Sequence, residues 1–416
     1  MRFSRLTVVV RKSLIFVHRW MGVALSVLFL LWFASGVVMM YWDFPSVRAQ
    51  DRLEHSPALD PASIRVSPEQ AYASLDTPQS PAQVRLNIFD GRPVYRFRSG
   101  RSERIVYADT GAPQTSVDSA MALRIASAWT GQSAAAANVE SIQEVDQWTV
   151  QGALRNLRPL SKYSWPNGEQ VYVSGANGEV VQYTTSRSRF WAYLGAIPHW
   201  FYFTPLRKHQ QEWSRFVIWT SGAGAVAALL GIAIGIWMYS PSKQYRYAGG
   251  ATSIPYRGQK RWHAIFGLIF GIGAVSWAFS GMLSMDPFPI RASGAPRGER
   301  GADIARVLRG RLQLAAFQSK GPRELLLALG DRKVKELEFA SIGQEPVYLA
   351  TLARGDTRIV PVRSEPALEL DASRVIASSG GPSIPRASPS YGCSTSTTPI
   401  ISIAIASDPC PSCFSG

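Results

Sequence analysis

The chain has 416 residues and a formal net charge of +15, and its mean hydropathy is near zero at −0.02. This length allows two or three domains, and the neutral hydropathy means that large polar regions accompany any membrane segment. Much of the excess basic charge lies beside the apolar segments described below. The charge therefore gives no support to a nucleic-acid-binding function, and we expect no nucleic-acid partner.

Three segments are apolar for long enough to cross a bilayer, at residues 13–42, 213–239 and 262–285. Each exceeds the ~20 residues that an α-helix needs to cross the hydrocarbon core. The first is also compatible with a signal peptide, because Val47-Arg48-Ala49 resembles a cleavage site. Its apolar core is much longer than the ~7–15 residues of a secretory h-region, which favours an uncleaved anchor. We predict three transmembrane helices in contact with a lipid bilayer.

Basic residues predict the orientation of these helices. The N-terminus at 1–12 and the loop at 240–261 contain Lys and Arg but no acidic residue. Both are expected in the cytoplasm by the positive-inside rule. The segments 43–212 and 286–377 then lie outside, in the periplasm of a bacterium with this protein in its inner membrane.

The outer segments alternate short amphipathic helices with hairpins. The hairpins include "PVYRFRSGRSERIVYADTGAP", "EQVYVSGANGEVVQYTT" and, in the second outer segment, "PVYLATLARGDTRIVPV". Each has an alternating strand, a turn containing glycine and a second alternating strand. The predicted fold class is a membrane α-helical protein with extracytoplasmic α+β domains. All three cysteines lie in the last 24 residues, so we predict no disulfide framework in these domains.

The first and third apolar segments are copies of each other. Six positions agree without a gap: His18 with His263, Gly22 with Gly267, Trp32 with Trp277, Ser35-Gly36 with Ser280-Gly281, and Met40 with Met285. This internal duplication predicts a fourth membrane helix after the second outer domain. The tail at 378–416 is instead rich in Ser, Pro and Gly, with two charged residues. It is either a low-complexity tail or, as we expect, the product of a frameshift that truncates the chain.

These motifs resemble those of a known family. The "HRWMG…SG" anchors, the "IPHW…W" segment before the second span and the helix and hairpin ending in "VYADTGAP" resemble the PepSY-associated transmembrane family. The resemblance covers roughly residues 10–375. It implies a bacterial inner-membrane protein with four helices. Some members resemble haem-b-containing reductases that release iron from ferric siderophores, and others are iron-regulated proteins of uncertain activity.

Two histidines are candidate haem ligands. His18 lies one turn inside the first span, and His263 opens the third span from the same face. This arrangement suits bis-histidine haem b. Supporting residues are Gly22 and Gly267, which leave room for the macrocycle, and Arg19 and Arg261, which suit its propionates. The alternative is that the histidines are interfacial, beside snorkelling arginines, with the glycines serving helix packing.

His199 precedes the second span and is a candidate ligand for an outer haem. By the symmetry of the duplication, the second ligand would be a histidine near the missing fourth helix, so this chain would supply one of the two. Alternatively, the segment around it is an aromatic interfacial belt. His55 and His209 are expected to be solvated, and "GIAIG" at 231–235 is typical of helix packing.

Two functions follow from these features. The first is an electron conduit that passes electrons from quinol or another donor to a ferric siderophore. The second is a non-enzymatic PepSY protein that binds or inhibits a peptidase, or that senses the state of the envelope.

Overall fold

The computed structural model describes residues 2–77, 80–100, 102–247, 250–288, 312–342 and 345–362. The predictions for the tail at 378–416 and for most of 286–311 lie outside these residues. The chain divides into two compact units. Unit 1 comprises residues 1–46, 136–172 and 181–290, and unit 2 comprises residues 47–135, 173–180 and 291–416.

The helices of the described residues are, in chain order, α1 (Arg2–Met39), α2 (Ala49–His55), α3 (Pro68–Ala73), α4 (Ser119–Thr130), α5 (Ser186–Leu194), α6 (Ala196–Trp200), α7 (Thr204–Lys208), α8 (Gln210–Met238), α9 (Gly258–Leu283) and α10 (Pro322–Ala328). The strands are β1 (Gln83–Phe89), β2 (Arg92–Ser99), β3 (Ser102–Tyr107), β4 (Pro113–Gln114), β5 (Asn138–Ile142), β6 (Leu160–Ser164), β7 (Gln170–Ser174), β8 (Val180–Thr184), β9 (Tyr245–Tyr247), β10 (Gly250–Thr252), β11 (Glu336–Ile342), β12 (Glu345–Ala353) and β13 (Asp356–Pro361).

Three long helices of unit 1 are apolar enough to cross a membrane. They are Thr7–Met39 within α1, Gln210–Met238 and Gly258–Leu283. Helix α8 packs against both α1 and α9, and a larger share of its surface is buried than of theirs. Since α1 and α9 are exposed over most of their apolar surface, they present that surface to lipid. The predicted membrane fold class with three such helices is confirmed.

A small sheet completes unit 1. Strands β5, β6, β7 and β8 follow one another in that order. Helices α5 and α6 contribute Ala192, Ala196 and Ile197 to the apolar core on this sheet. The buried side chain of Gln182 donates to the carbonyl oxygens of Pro45 and Trp148, each at 2.7 Å. These bonds fix the segment that leaves α1 against the sheet that leads to α6.

Unit 2 contains one seven-stranded sheet. Its order is β13-β12-β11-β1-β2-β3-β4. Strand β1 pairs antiparallel with β11, with Val84 opposite Phe339 and Leu86 opposite Leu337. The segments at 43–212 and 286–377 therefore share a sheet, since β1 lies in the first and β11 in the second. One face carries the apolar core, which includes Tyr95 and is closed by α3 and α10.

The other face of this sheet carries a buried charge network. The guanidinium of Arg96, which is 3% exposed, lies 3.0 Å from Glu103 and 3.6 Å from Glu179. Arg85 lies 2.8 Å from Glu103 and 3.8 Å from Glu179. Burial raises the pKa of the Glu179 carboxyl, but the charges of Arg96, Arg52 and Arg85 outweigh it and hold that pKa below its ordinary value. Glu179 therefore stabilises unit 2 in its ionised form.

We expect Glu179→Gln to destabilise the protein by about 3 kcal/mol at neutral pH, because it removes one carboxylate from buried arginines. The folded pKa of Glu179 is below its ordinary value of 4.5, so its contribution is present above pH 4.5 and is lost as the pH falls towards the folded pKa. The difference between wild type and variant should shrink over that interval in thermal unfolding curves.

Asp90→Asn is the control for this experiment. It removes a salt bridge to Arg124, whose side chain is 57% exposed, and solvent-exposed pairs contribute little. Equal stabilities of wild type and Glu179→Gln at neutral pH would contradict the network's role.

Candidate functional site

The ring of His18 in α1 lies close to the ring of His263 in α9. Their centroids are 6.1 Å apart, with an angle of 36° between the ring planes. Two imidazoles bound on opposite sides of one metal, each through a bond of about 2 Å, have centroids about 6 Å apart. At this separation, His18 and His263 could both bind one metal ion.

The backbone of α8 supports the ring of His18. Its Nδ1 lies 3.0 Å from the carbonyl oxygen of Ala227. A carbonyl only accepts, so Nδ1 carries the hydrogen, and in this tautomer of the neutral ring Nε2 has the lone pair. The ring lies over Gly231, where a Cβ would be 2.7 Å from Cε1 of His18. Metal-binding histidines are commonly oriented in this way, by a hydrogen bond from the nitrogen that does not bind the metal.

His199 in α6 has the same kind of support on α1. Its Nδ1 lies 3.1 Å from the carbonyl oxygen of Trp32 and 3.2 Å from the hydroxyl of Ser35. A Cβ at Gly36 would be 3.2 Å from Cε1 of the ring. Burial lowers the pKa of His199, although the hydrogen bond to Trp32 opposes this effect. The lowered pKa favours the neutral ring, which is the form that binds a metal.

In both contacts the accepting carbonyl lies four residues before the glycine, Ala227 before Gly231 and Trp32 before Gly36. Residues four apart lie on one face of an α-helix, so the missing side chain opens the approach to that carbonyl. We call this arrangement a histidine seat: the ring lies on a glycine, and Nδ1 donates a hydrogen bond to the carbonyl four residues before that glycine.

Open space lies at Gly22 and Gly267, each four residues after a histidine of the pair. A Cβ built at Gly22 or at Gly267 would meet no atom within 4 Å. Gly271 differs, because a Cβ there would be 2.7 Å from Ile232, so this glycine serves the packing of α9 on α8. Arg19 is exposed, with its guanidinium carbon 6.0 Å from the ring centroid of Trp20, and Arg261 is also exposed.

These side chains fit a haem better than a bare metal ion. Within the described residues, no three His, Cys, Asp or Glu side chains are grouped so that they could hold a metal. A haem would need only the two imidazoles from this chain, because its macrocycle supplies the other ligands of the iron. His18 and His263, with open space at Gly22 and Gly267, match that requirement.

His209 and His55 belong to other elements of the chain. His209 is exposed at the junction of α7 and α8. His55, in unit 2, is stacked on Trp129 with centroids 3.8 Å apart, a contact that its polar sequence surroundings did not predict.

Unit 2 contains a cleft of about 480 Å³ on the charged face of its sheet. Its walls combine the stacked His55 and Trp129 with the charged side chains of Arg85, Arg96 and Glu179. A volume of this order suits a small-molecule ligand.

Gly231→Ala should destabilise the protein, because overpacking at a fixed ring costs about 1–3 kcal/mol. Gly273→Ala is the matched control, since a Cβ there meets no atom within 4 Å. The measurement is thermal unfolding in detergent, in a double-mutant cycle with His18→Ala. If the ring is the obstacle, Gly231→Ala costs less in the His18→Ala background. Equal costs in both backgrounds would show that the ring does not rest on this glycine.

Comparison with known protein families gives a match of residues 15–306 to the family described as the PepSY-associated TM region. No curated protein and no solved structure matches the chain. The match covers most of the chain and includes the second and third apolar helices and most of the first. This protein is a membrane protein that belongs to the PepSY-associated TM family.

Proposed function

We propose that this protein is an inner-membrane haem b protein that moves electrons across the membrane to ferric iron, held by a siderophore, in the periplasm. The observation that carries the proposal is the close approach of His18 and His263, with ring centroids 6.1 Å apart. A pair of interfacial histidines has no need for this separation or for the open space at Gly22 and Gly267.

The chain's own residues prepare the ligands. A b-type haem supplies an iron that takes up and releases one electron at a time. Ala227 holds the Nδ1 hydrogen of His18, so Nε2 is available without rearrangement. Gly231 lets the ring lie on α8, and this contact limits the orientations that the ring can take. In the proposed reaction, each electron taken from a quinol or another donor reduces one ferric ion to the ferrous state.

A second seat supports transfer across the membrane. His199 rests on Trp32 and Gly36, which follow His18 along α1 at a distance of roughly 20 Å or more at 1.5 Å per residue. Imidazoles held by a backbone carbonyl thus occur near both ends of the first span. We propose His199 as one ligand of an outer haem.

The cleft of about 480 Å³ in unit 2 supports the substrate part of the proposal. Its aromatic and charged lining suits a polar chelate, and its volume is in the range of small-molecule sites.

The direct test is the reduced-minus-oxidised absorbance spectrum of the purified full-length chain. We expect haem b bands, and His18→Ala and His263→Ala should each remove the same bands because they share one iron. His209→Ala, at an exposed position, should leave them unchanged. A wild-type protein without haem bands would overturn the proposal and favour a peptidase-binding protein, and loss of two different components would show that the histidines are not a pair.

The orientation is tested with topology reporters. A reporter fused after Gly111 should indicate the periplasm and one fused after Gly249 the cytoplasm, because the basic loop at 240–261 contains no acidic residue. The reverse pattern would move the proposed site of iron reduction to the other side of the membrane.

A further inference from the structure

Helix α5 has an exposed apolar face. Phe190, Tyr193 and Leu194 are 57%, 55% and 47% exposed. They are spaced i, i+3, i+4, so they lie on one side of the helix. The opposite side is fixed to the protein, since Ala192 is fully buried and Trp191 stacks on Trp42 with centroids 3.8 Å apart. The apolar face is therefore held in a defined direction.

Contacts with α1 place this face relative to the end of the first apolar span. A Cβ at Gly195, the residue that ends α5, would be 2.9 Å from Cγ1 of Val38 and 3.4 Å from Cγ of Met39. Met39 is the last residue of the first apolar span. Helix α5 therefore meets α1 where the span leaves the hydrocarbon. The exposed side chains of Met40 and Tyr41 continue the apolar surface beyond the span.

The charge of α5 suits the same location. Arg187 is exposed and lies one turn before Phe190 on the same side of the helix. Helix α5 contains no acidic residue. An amphipathic helix with basic and aromatic side chains binds at the boundary of headgroups and acyl chains, where Tyr and Trp side chains are enriched.

We propose that Phe190, Tyr193 and Leu194 form a lipid-binding surface that lies in the headgroup and acyl boundary of the bilayer, with Arg187 at the phosphate level. Its continuity with the lipid-exposed surface of α1 argues for lipid as the occupant, rather than for a second copy of the chain. Helix α6 follows α5 directly and carries His199, so this surface also sets the depth of that histidine. The proposal does not depend on haem binding.

Site-directed spin labelling of the full-length chain in phosphatidylcholine nanodiscs tests this surface. Single cysteines replace Phe190, Tyr193 or Leu194 in a background in which the three native cysteines are serine. Two exposed residues give the reference values: Val27→Cys in the middle of the first span for lipid, and Ser141→Cys in β5 for water. The measurement compares collisions with oxygen, which partitions into lipid, and with a water-soluble nickel chelate.

We expect all three labels on α5 to collide with oxygen several-fold more than with nickel, relative to Ser141→Cys, as the Val27→Cys label does. Nickel access like that of Ser141→Cys would place the surface in water and overturn the proposal. Low access to both reagents would show that protein covers the surface, which also overturns it. The three positions are read independently, so failure of one variant to fold leaves the test intact.

Discussion

The contact between an imidazole ring and a glycine of a neighbouring helix determines how unit 1 is arranged. At Gly231 and at Gly36 a side chain is absent, and the ring of His18 or His199 occupies its place. The Nδ1 hydrogen then reaches a backbone carbonyl. A buried polar hydrogen without a partner costs roughly 1–3 kcal/mol. These seats therefore favour one rotational setting of α1 against α8, and of α6 against α1.

The pairing of β1 with β11 imposes a second constraint, on topology. Both strands belong to unit 2, yet two of the three apolar helices, α8 and α9, lie between them in the chain. Strands of one sheet must be on the same side of a membrane. The chain meets this condition if α8 and α9 each cross once, since two crossings return it to the side on which it began. The sheet thus supports an even number of crossings between β1 and β11, which agrees with the alternation of basic loops.

The sequence predicted local elements better than it predicted long-range contacts. The three apolar helices and the hairpins β2–β3, β7–β8 and β12–β13 follow from segment length and from alternation within a few residues. The partner of β1 did not follow, because an alternating strand does not encode which distant strand it meets. Gly231 was interpreted as a packing residue. That interpretation fits Gly235, which lies against Leu268, but Gly231 receives a histidine, and helix spacing alone cannot distinguish the two.

The duplication explains why the seats are asymmetric. His18 and His263 occupy equivalent positions of the repeat, but their helices contact α8 in different ways. Only His18 reaches the backbone of α8 at Gly231, whereas His263 remains exposed. The Ser35-Gly36 pair that seats His199 also recurs, as Ser280-Gly281, and there a Cβ on the glycine would be 3.5 Å from the hydroxyl of Ser221 in α8. In each repeated motif, only the first copy takes part in a histidine–glycine contact: His18 lies on Gly231, and Gly36 receives His199. In the second copy, His263 is exposed and Gly281 packs against α8.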